Sequence, residues 1–396
     1  MKKYLCASFV LVIALASSSA FATNGSQFTG YGAVSQGLSG ATVASGWDSV
    51  SAISNPASLG IIEGGRMDMS FEYFRPPRSL NGVESDSNSY LAPSGGIAVK
   101  SPDGRITYGL VWGGVTGFGD DFRKGALPDA FFENPSIGHI YSQYQFMKVV
   151  PTLAYKPNDR LSIGAGLSIN WHALELSHPF DMNGNGLFDT QMTLNNASSF
   201  GIGANIGAIY IVNDMVRLGA SYTTKQDMGT LRWNTDMGKV STKLNGVEQA
   251  ALGVAFSPQK NLTIELNERW LNWSSVMDKI DMKLEGATFA TWQFGWSDQW
   301  VTSLGITYMP ADALTLRGGW NYGKSPVQNE DVDWNLVSTA IVEHHVSAGA
   351  GYKLTKNLEA NIAYGHAFEK SFTSPTSGNK IEMSEDWVDL MLSYRF

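Results

Sequence analysis

The sequence predicts an all-β chain, a transmembrane antiparallel β-barrel of about fourteen strands. Three observations carry that reading. Charged residues make up 16% of the 396 residues, well below the ~25% of an ordinary soluble domain. Gly (42), Phe (19), Tyr (15) and Trp (12) are abundant, while the mean hydropathy of −0.12 is too low for a bundle of membrane helices. Behind residue 64 the chain alternates apolar and polar positions almost to its end, as strands do when one face meets lipid and the other a polar lumen. The net charge of −8 argues against phosphate-driven nucleic-acid binding.

The first 22 residues read as an export signal. Lys2 and Lys3 form a basic start, Leu5 to Ala16 an apolar run, and Ala20-Phe21-Ala22 a cleavage site, so the mature chain begins at Thr23. The alternative, an uncleaved anchor, meets a run shorter than the ~20 residues a spanning helix needs. Cys6 is the single cysteine, so the mature protein has no disulfide, thiolate or Cys-based metal chemistry. An exported chain without another spanning helix can enter a membrane only as a closed barrel.

The first strand is Arg66–Phe74, with Met67, Met69, Phe71 and Tyr73 on one face and Asp68, Ser70 and Glu72 on the other. Six similar hairpin turns follow, centred near residues 102, 157, 213, 258, 310 and 355. Pro, Asn and Asp in them supply the fixed φ and local hydrogen bonds of tight turns. Strands around them alternate cleanly. Leu161, Ile163, Ala165, Leu167, Ile169 and Trp171 oppose Ser162, Gly164, Gly166, Ser168 and Asn170. The last strand alternates Val388, Leu390, Leu392, Tyr394 and Phe396 with polar residues. An aromatic terminus on such a strand is the kind of signal outer-membrane assembly machinery reads, which places the chain in the outer membrane of a Gram-negative bacterium, among its lipid and lipopolysaccharide. The opposite connections are long, roughly 75–93, 116–139, 173–197, 224–246, 272–298, 324–342 and 367–384. Short turns inside and long loops outside are the barrel asymmetry. The loops carry apolar stretches, LPDAFFENP (127–135) and FATWQFGWSDQW (289–300). Such patches mark binding surfaces or interfacial aromatic anchors.

Ahead of the strands, residues 23–64 are rich in small side chains and end near Asn55-Pro56-Ala57. Pro56 blocks helix or ladder continuation and pushes Asn55 toward extended backbone, while the Asn55 amide can satisfy local backbone groups. With Asn24-Gly25, Gly30-Tyr31-Gly32 and SQGLSGA (35–41), and with the order of signal, small-residue segment, first strand and terminal Phe396, the chain resembles the FadL family (FadL/OmpP1/TodX) of outer-membrane transporters for long-chain fatty acids and aromatic hydrocarbons.

The resemblance implies a signal (1–22), a hatch folded inside the lumen (23–64) and a barrel (65–396). It implies no enzyme activity and transport of a hydrophobic molecule, most simply a long-chain fatty acid, with an aromatic hydrocarbon as alternative. Capture would occur between the third and fourth outer loops, at Leu187, Phe188, Met228, Leu231 and Trp233. An inner pocket would use Phe28 and Tyr31. A fatty-acid carboxylate calls for a cation. Lys100, Arg105, Arg217, Arg317 and Lys353 are the lumen-facing candidates, with Lys100 and Arg317 selected and with pairing to acids such as Asp48 or Glu265 as the competing role. Sideways exit would occur at a kink in the third strand, placed at Gly113-Gly114 with Pro151 weakening the neighbouring strand. A monomer is expected.

DMNGNGLFD puts Asp181, Asn183, Asn185, Gly186 and Asp189 at positions 1, 3, 5, 6 and 9 of a Ca2+ loop, but Met192 stands where a bidentate Glu belongs. A weak Ca2+ site and a plain Asn/Gly turn are both open, and no other cofactor is indicated. GIGANIG (201–207) sits on a strand without a following helix, which removes a nucleotide-binding reading. Neither H-E-x-x-H nor G-x-S-x-G occurs. A general diffusion porin is the rival from another class, and an outer-membrane enzyme the third.

Overall fold

The computed structural model describes residues 24–396 apart from 123, 124 and 135. The export signal, its cleavage site and Cys6 lie outside the described residues. Fourteen strands form the ring: β1 (Arg66–Arg75), β2 (Tyr90–Lys100), β3 (Ile106–Phe118), β4 (Ile140–Asn158), β5 (Leu161–Phe180), β6 (Thr190–Ile211), β7 (Val216–Thr223), β8 (Gln249–Gln259), β9 (Leu262–Leu271), β10 (Gln299–Ala311), β11 (Leu314–Gly323), β12 (His344–Lys353), β13 (Leu358–Thr373) and β14 (Lys380–Arg395). Each pairs antiparallel with the next. β1 closes on β14, with Met67 opposite Tyr394. Closure removes both sheet edges, which a bilayer cannot solvate.

The side-chain alternation sorts the two faces. Leu167, Phe200, Leu252, Leu266 and Leu390 stand exposed on the outer wall. Tyr108, Tyr155, Tyr210, Tyr308, Tyr352 and Tyr394 ring the outside near the short turns, and Tyr73, Trp300, Trp320 and Tyr364 stand exposed nearer the other end. Two aromatic belts around an aliphatic band match the two faces of a bilayer.

Several strands outrun the membrane. β5 and β6 have 20 and 22 residues, about twice the 9–11 of a tilted crossing. The third outer loop therefore narrows from the expected 173–197 to 181–189, because the ladder continues from Leu176↔Leu194 to Phe180↔Thr190. The seventh shrinks likewise to 374–379, since β13 and β14 stay paired to Thr373↔Lys380. A second, four-stranded sheet of residues 231–235, 238–242, 280–284 and 287–292 lies in the outer loops.

Residues 24–64 fill the ring and are almost wholly buried. The segment is irregular, with short helices at Gly32–Gln36, Val50–Ile53 and Ser58–Ile61. Wall glycines make the room. A Cβ on Gly219 would lie 2.3 Å from the Val43 carbonyl oxygen, and one on Gly319 2.3 Å from the Leu38 carbonyl carbon. Polar anchors fix the seat. The Arg66 guanidinium bonds Asp68 at 2.6 Å and the Trp47 carbonyl at 2.8 Å. Asp68 also accepts from the Ser49 N–H at 2.8 Å. Asn55 behaves as its type suggests: its Oδ1 accepts from Ala57 N–H at 3.0 Å, and its Nδ2 donates to the Val43 carbonyl at 2.7 Å.

Candidate functional site

At the seam between β2 and β3 the ladder stops short. β2 and β3 pair only from Lys100↔Thr107 to Ser94↔Gly113. Beyond that, Tyr90–Pro93 keep their β1 partners, and β3 continues on β4 alone to Phe118↔Tyr144, with a bulge at Val115. The N-terminal segment occupies the vacated edge of β3. Phe28 N–H donates to the Val115 carbonyl at 3.4 Å, Gly117 N–H donates to the Ser26 carbonyl at 3.0 Å, and Gln27 forms an antiparallel bridge with Thr116. Gly113 and Gly114 thus stand at the start of the unpaired stretch. Pro151 does not. It opposes Leu110 in an intact β3–β4 ladder, and the interruption it makes falls on the β5 side, where Val150 and Pro151 are skipped. Its missing N–H weakens a different seam from the open one.

Behind the seam lie the two hatch aromatics. Phe28 is 2% and Tyr31 4% exposed. Their rings meet edge-on at 6.4 Å, and Phe28 meets Phe74 of β1 at 6.0 Å. The cations selected from sequence are elsewhere. Arg317 lies three residues from the short turn before β11, donates to Asn361 at 2.9 Å, and sits on the turn side of Gly319, where Leu38 and Ser39 cross the lumen. Lys100 ends β2 beside the turn. Arg105 and Lys353 are exposed at the turns. A side chain's facing is legible from period-2 alternation, but its height along the lumen depends on where the plug crosses, which the alternation does not record.

Two lumen cations absent from the sequence reading lie on the outer side. Lys148 of β4 is 6% exposed and stands between Gly113 of β3 and Asn170 of β5. Arg269 of β9 is half-buried and feels the Tyr31 hydroxyl electrostatically. Among the described residues neither reaches a carboxylate, in contrast to Arg66, Arg78 and Arg395. The signal was available: Lys148 shares the inward phase of Tyr144 and Phe146 in YQFMKVV, with no acid in phase nearby.

Of the five residues assigned to an outer groove, three are interior. Met228, Leu231 and Trp233 are 1%, 0% and 6% exposed. They form the core beneath the small outer sheet, so apolarity in a loop here signalled a folded cap. Leu187 is exposed, and Phe188 is partly buried against Phe132 (5.7 Å) and His178 (6.1 Å). His178 and Phe180 in turn meet Trp292 at 5.0 and 5.7 Å.

The 181–189 loop is closed by its own backbone. Asp181 accepts N–H bonds from Gly184 (2.7 Å), Asn185 (3.2 Å) and Gly186 (2.7 Å). Asp189 accepts from the Thr190 hydroxyl and from Met182 and Asn183 N–H, bonds that hold its carboxyl below the usual range. Among the described residues no three acids or histidines converge to hold a metal. Asp181→Ala removes the acceptor of three backbone bonds and should raise the rate of limited proteolysis in this loop about fivefold or more, at ~1 kcal/mol per lost bond. Equal rates with and without Ca2+ are the expected control.

One Ser–His contact is accounted for structurally. His172 Nε2 is 2.6 Å from Ser199 Oγ, whose hydroxyl donates to the Gly229 carbonyl at 2.8 Å. Tyr144 OH lies 3.2 Å from His172 Nδ1. The relay staples β4, β5 and β6 to the next loop, and its hydroxyl proton is spent on a carbonyl.

Comparison with known proteins fits this geometry. Residues 9–386 match the model of the outer membrane protein transport protein family (OMPP1/FadL/TodX). The toluene transporter TbuX of Ralstonia pickettii superposes with a TM-score of 0.78 at 20% identity, over 93% of this chain and 99% of that one. A FadL homologue of Pseudomonas aeruginosa gives 0.77 at 18% identity, over 96% and 100%. Haemophilus influenzae outer membrane protein P1 is 25% identical over 192 residues, 44% of this chain and 39% of its own. A putative outer membrane protein of Neisseria meningitidis is 23% identical over 242 residues, 50% and 52%. The matched stretches thus span two fifths to about half of these curated relatives. With a match across nearly all of its length and a closed, plugged ring of fourteen strands, the chain belongs to the OMPP1/FadL/TodX family of outer-membrane transport proteins.

Proposed function

We propose that the protein carries hydrophobic carboxylic acids, long-chain fatty acids above all, across the outer membrane. One observation carries the choice of an acid: Lys148, buried in the lumen beside the open seam, reaches no carboxylate among the described residues. A buried, unpaired cation costs several kcal/mol, and a hydrocarbon passage gains nothing from it. A carboxylate brings the missing charge and accepts charge-assisted bonds, while its chain lies against Phe28, Tyr31 and Phe74. Exit is sideways, between Tyr90–Pro93 of β2 and Gly114–Phe118 of β3, once Ser26–Phe28 leave the edge of β3. Leu187 and Phe188 at the rim of the outer cap are the first apolar contact. A monomer suffices, because the path lies within one ring.

A second reading, passage of monoaromatic hydrocarbons, draws support from the ring cluster of His178, Phe180, Trp292 and Phe294 in the outer cap. Uptake in a bacterial host lacking its own fatty-acid channel separates the two. With the protein verified in the outer membrane, restored oleate uptake supports the acid, and toluene uptake without oleate uptake supports the hydrocarbon.

A further inference from the structure

A cavity on the opposite side of the plug from the β2–β3 seam has the chemistry of a binding site. It measures about 150 Å³ and is lined by Ser45, Gly46, Trp47, Ile61, Ile211 and Arg217. Ile211 and Arg217 flank the short turn between β6 and β7, so the cavity belongs to the periplasmic end of the ring. It lies between the plug and the wall, remote from the β2–β3 seam. Gly46 shapes one side: a Cβ there would lie 2.6 Å from both the Ile61 side chain and the Ser58 carbonyl oxygen.

The lining is apolar on one side and donor-rich on the other. Ile61 and Ile211 supply the apolar part. Arg217 donates from Nη2 to Ser45 Oγ at 3.3 Å, yet among the described residues its buried Nε has no hydrogen-bond partner, and neither has Nε1 of Trp47. Buried N–H groups left unpaired are uncommon and costly. Glu265, the acid that attracts Arg217 electrostatically, makes its hydrogen bonds with the plug: it accepts from Ala44 N–H at 2.7 Å and from the Ser45 hydroxyl. Arg217 therefore keeps donors for another anion. A volume near 150 Å³ is enough for one benzene-sized ring.

We propose that this cavity binds a small carboxylate from the periplasmic side. A benzoate-sized ring or short acyl chain lies between Ile61 and Ile211, and the carboxylate takes the free N–H groups of Arg217 and Trp47. The inference does not depend on the uptake reading above, because the cavity and the seam share no residue.

The test is calorimetric titration of the full-length mature protein in lipid nanodiscs, which leave both ends of the ring open. The probes are benzoate and its neutral isostere, benzamide. Benzoate is expected to bind tighter than benzamide. Arg217→Gln should weaken benzoate by about tenfold or more, the value of a charge-assisted bond, and leave benzamide unchanged. Leu167→Val, on the lipid face of β5, should leave the affinities for both probes unchanged. Ile61→Trp, which fills the cavity, should abolish both. Equal affinity for benzoate and benzamide, or an unaffected Arg217→Gln, would overturn the proposal. If Arg217→Gln fails to give the heat-modifiable band of a folded barrel, Ile61→Trp decides: retained binding refutes the site.

Discussion

Substituting valine for Gly164 is expected to turn a closed barrel into a conducting one. Gly164 faces the lumen from β5. A Cβ there would lie 2.3 Å from the Pro56 carbonyl carbon and 2.4 Å from the Ala57 nitrogen. Both are backbone atoms, so no rotamer change relieves the contact. Valine suits a strand, and the ring itself should assemble. The clash falls on the Asn55-Pro56-Ala57 turn and on the bond from Ser162 Oγ to the Ala57 carbonyl at 2.7 Å. Overpacking of this kind costs ~1–3 kcal/mol, enough to shift a closed-to-open ratio by about 5- to 150-fold. In planar bilayers the native protein should stay near baseline, and Gly164→Val should show frequent pore-sized openings. Leu167→Val, on the lipid face of the same strand, is the control and should stay closed. A silent Gly164→Val with a correctly folded barrel would mean that the seal lies elsewhere. Stable large conductance of the native protein would favour a general porin.

Lys148→Met is expected to separate acids from hydrocarbons. Methionine keeps most of the stem and removes the charge. If Lys148 receives a carboxylate, initial oleate uptake should fall about tenfold to a hundredfold, the range of a charge-assisted bond. Toluene uptake should hold. The same variant should unfold at a higher temperature than the native protein, because it removes an uncompensated buried charge. The opposite signs matter: a residue serving only to hold the wall would lower stability and both uptakes together. Parallel loss of oleate and toluene uptake would count against the acid reading.

The architecture was legible because a barrel writes its period into the chain. Six turns, the first strand and the terminal strand follow from alternation and from Pro, Asn and Asp at the turns, since a one-residue slip would put every apolar side chain into the lumen. The chemistry of Asn55 was also local and therefore readable. Height was not. Whether a lumen cation lies above or below the plug, as Lys148 and Arg317 do, is set by contacts between residues hundreds apart. Loop apolarity was equally ambiguous. Leu231 and Trp233 look like a greasy surface in one dimension and are the interior of a folded cap in three. Pro151 shows a third limit: a missing donor is certain from sequence, but the strand that loses the bond depends on register.

The plug joins the ring covalently at one place, the step from Gly65 to Arg66, while the ring shuts between residues more than three hundred positions apart. The segment can therefore be seated after the ring has closed, like a tongue drawn in from the periplasmic side, with Gly64 at φ 66° as part of its root. Closure of the ring in the membrane therefore does not have to wait for the lumen to be sealed.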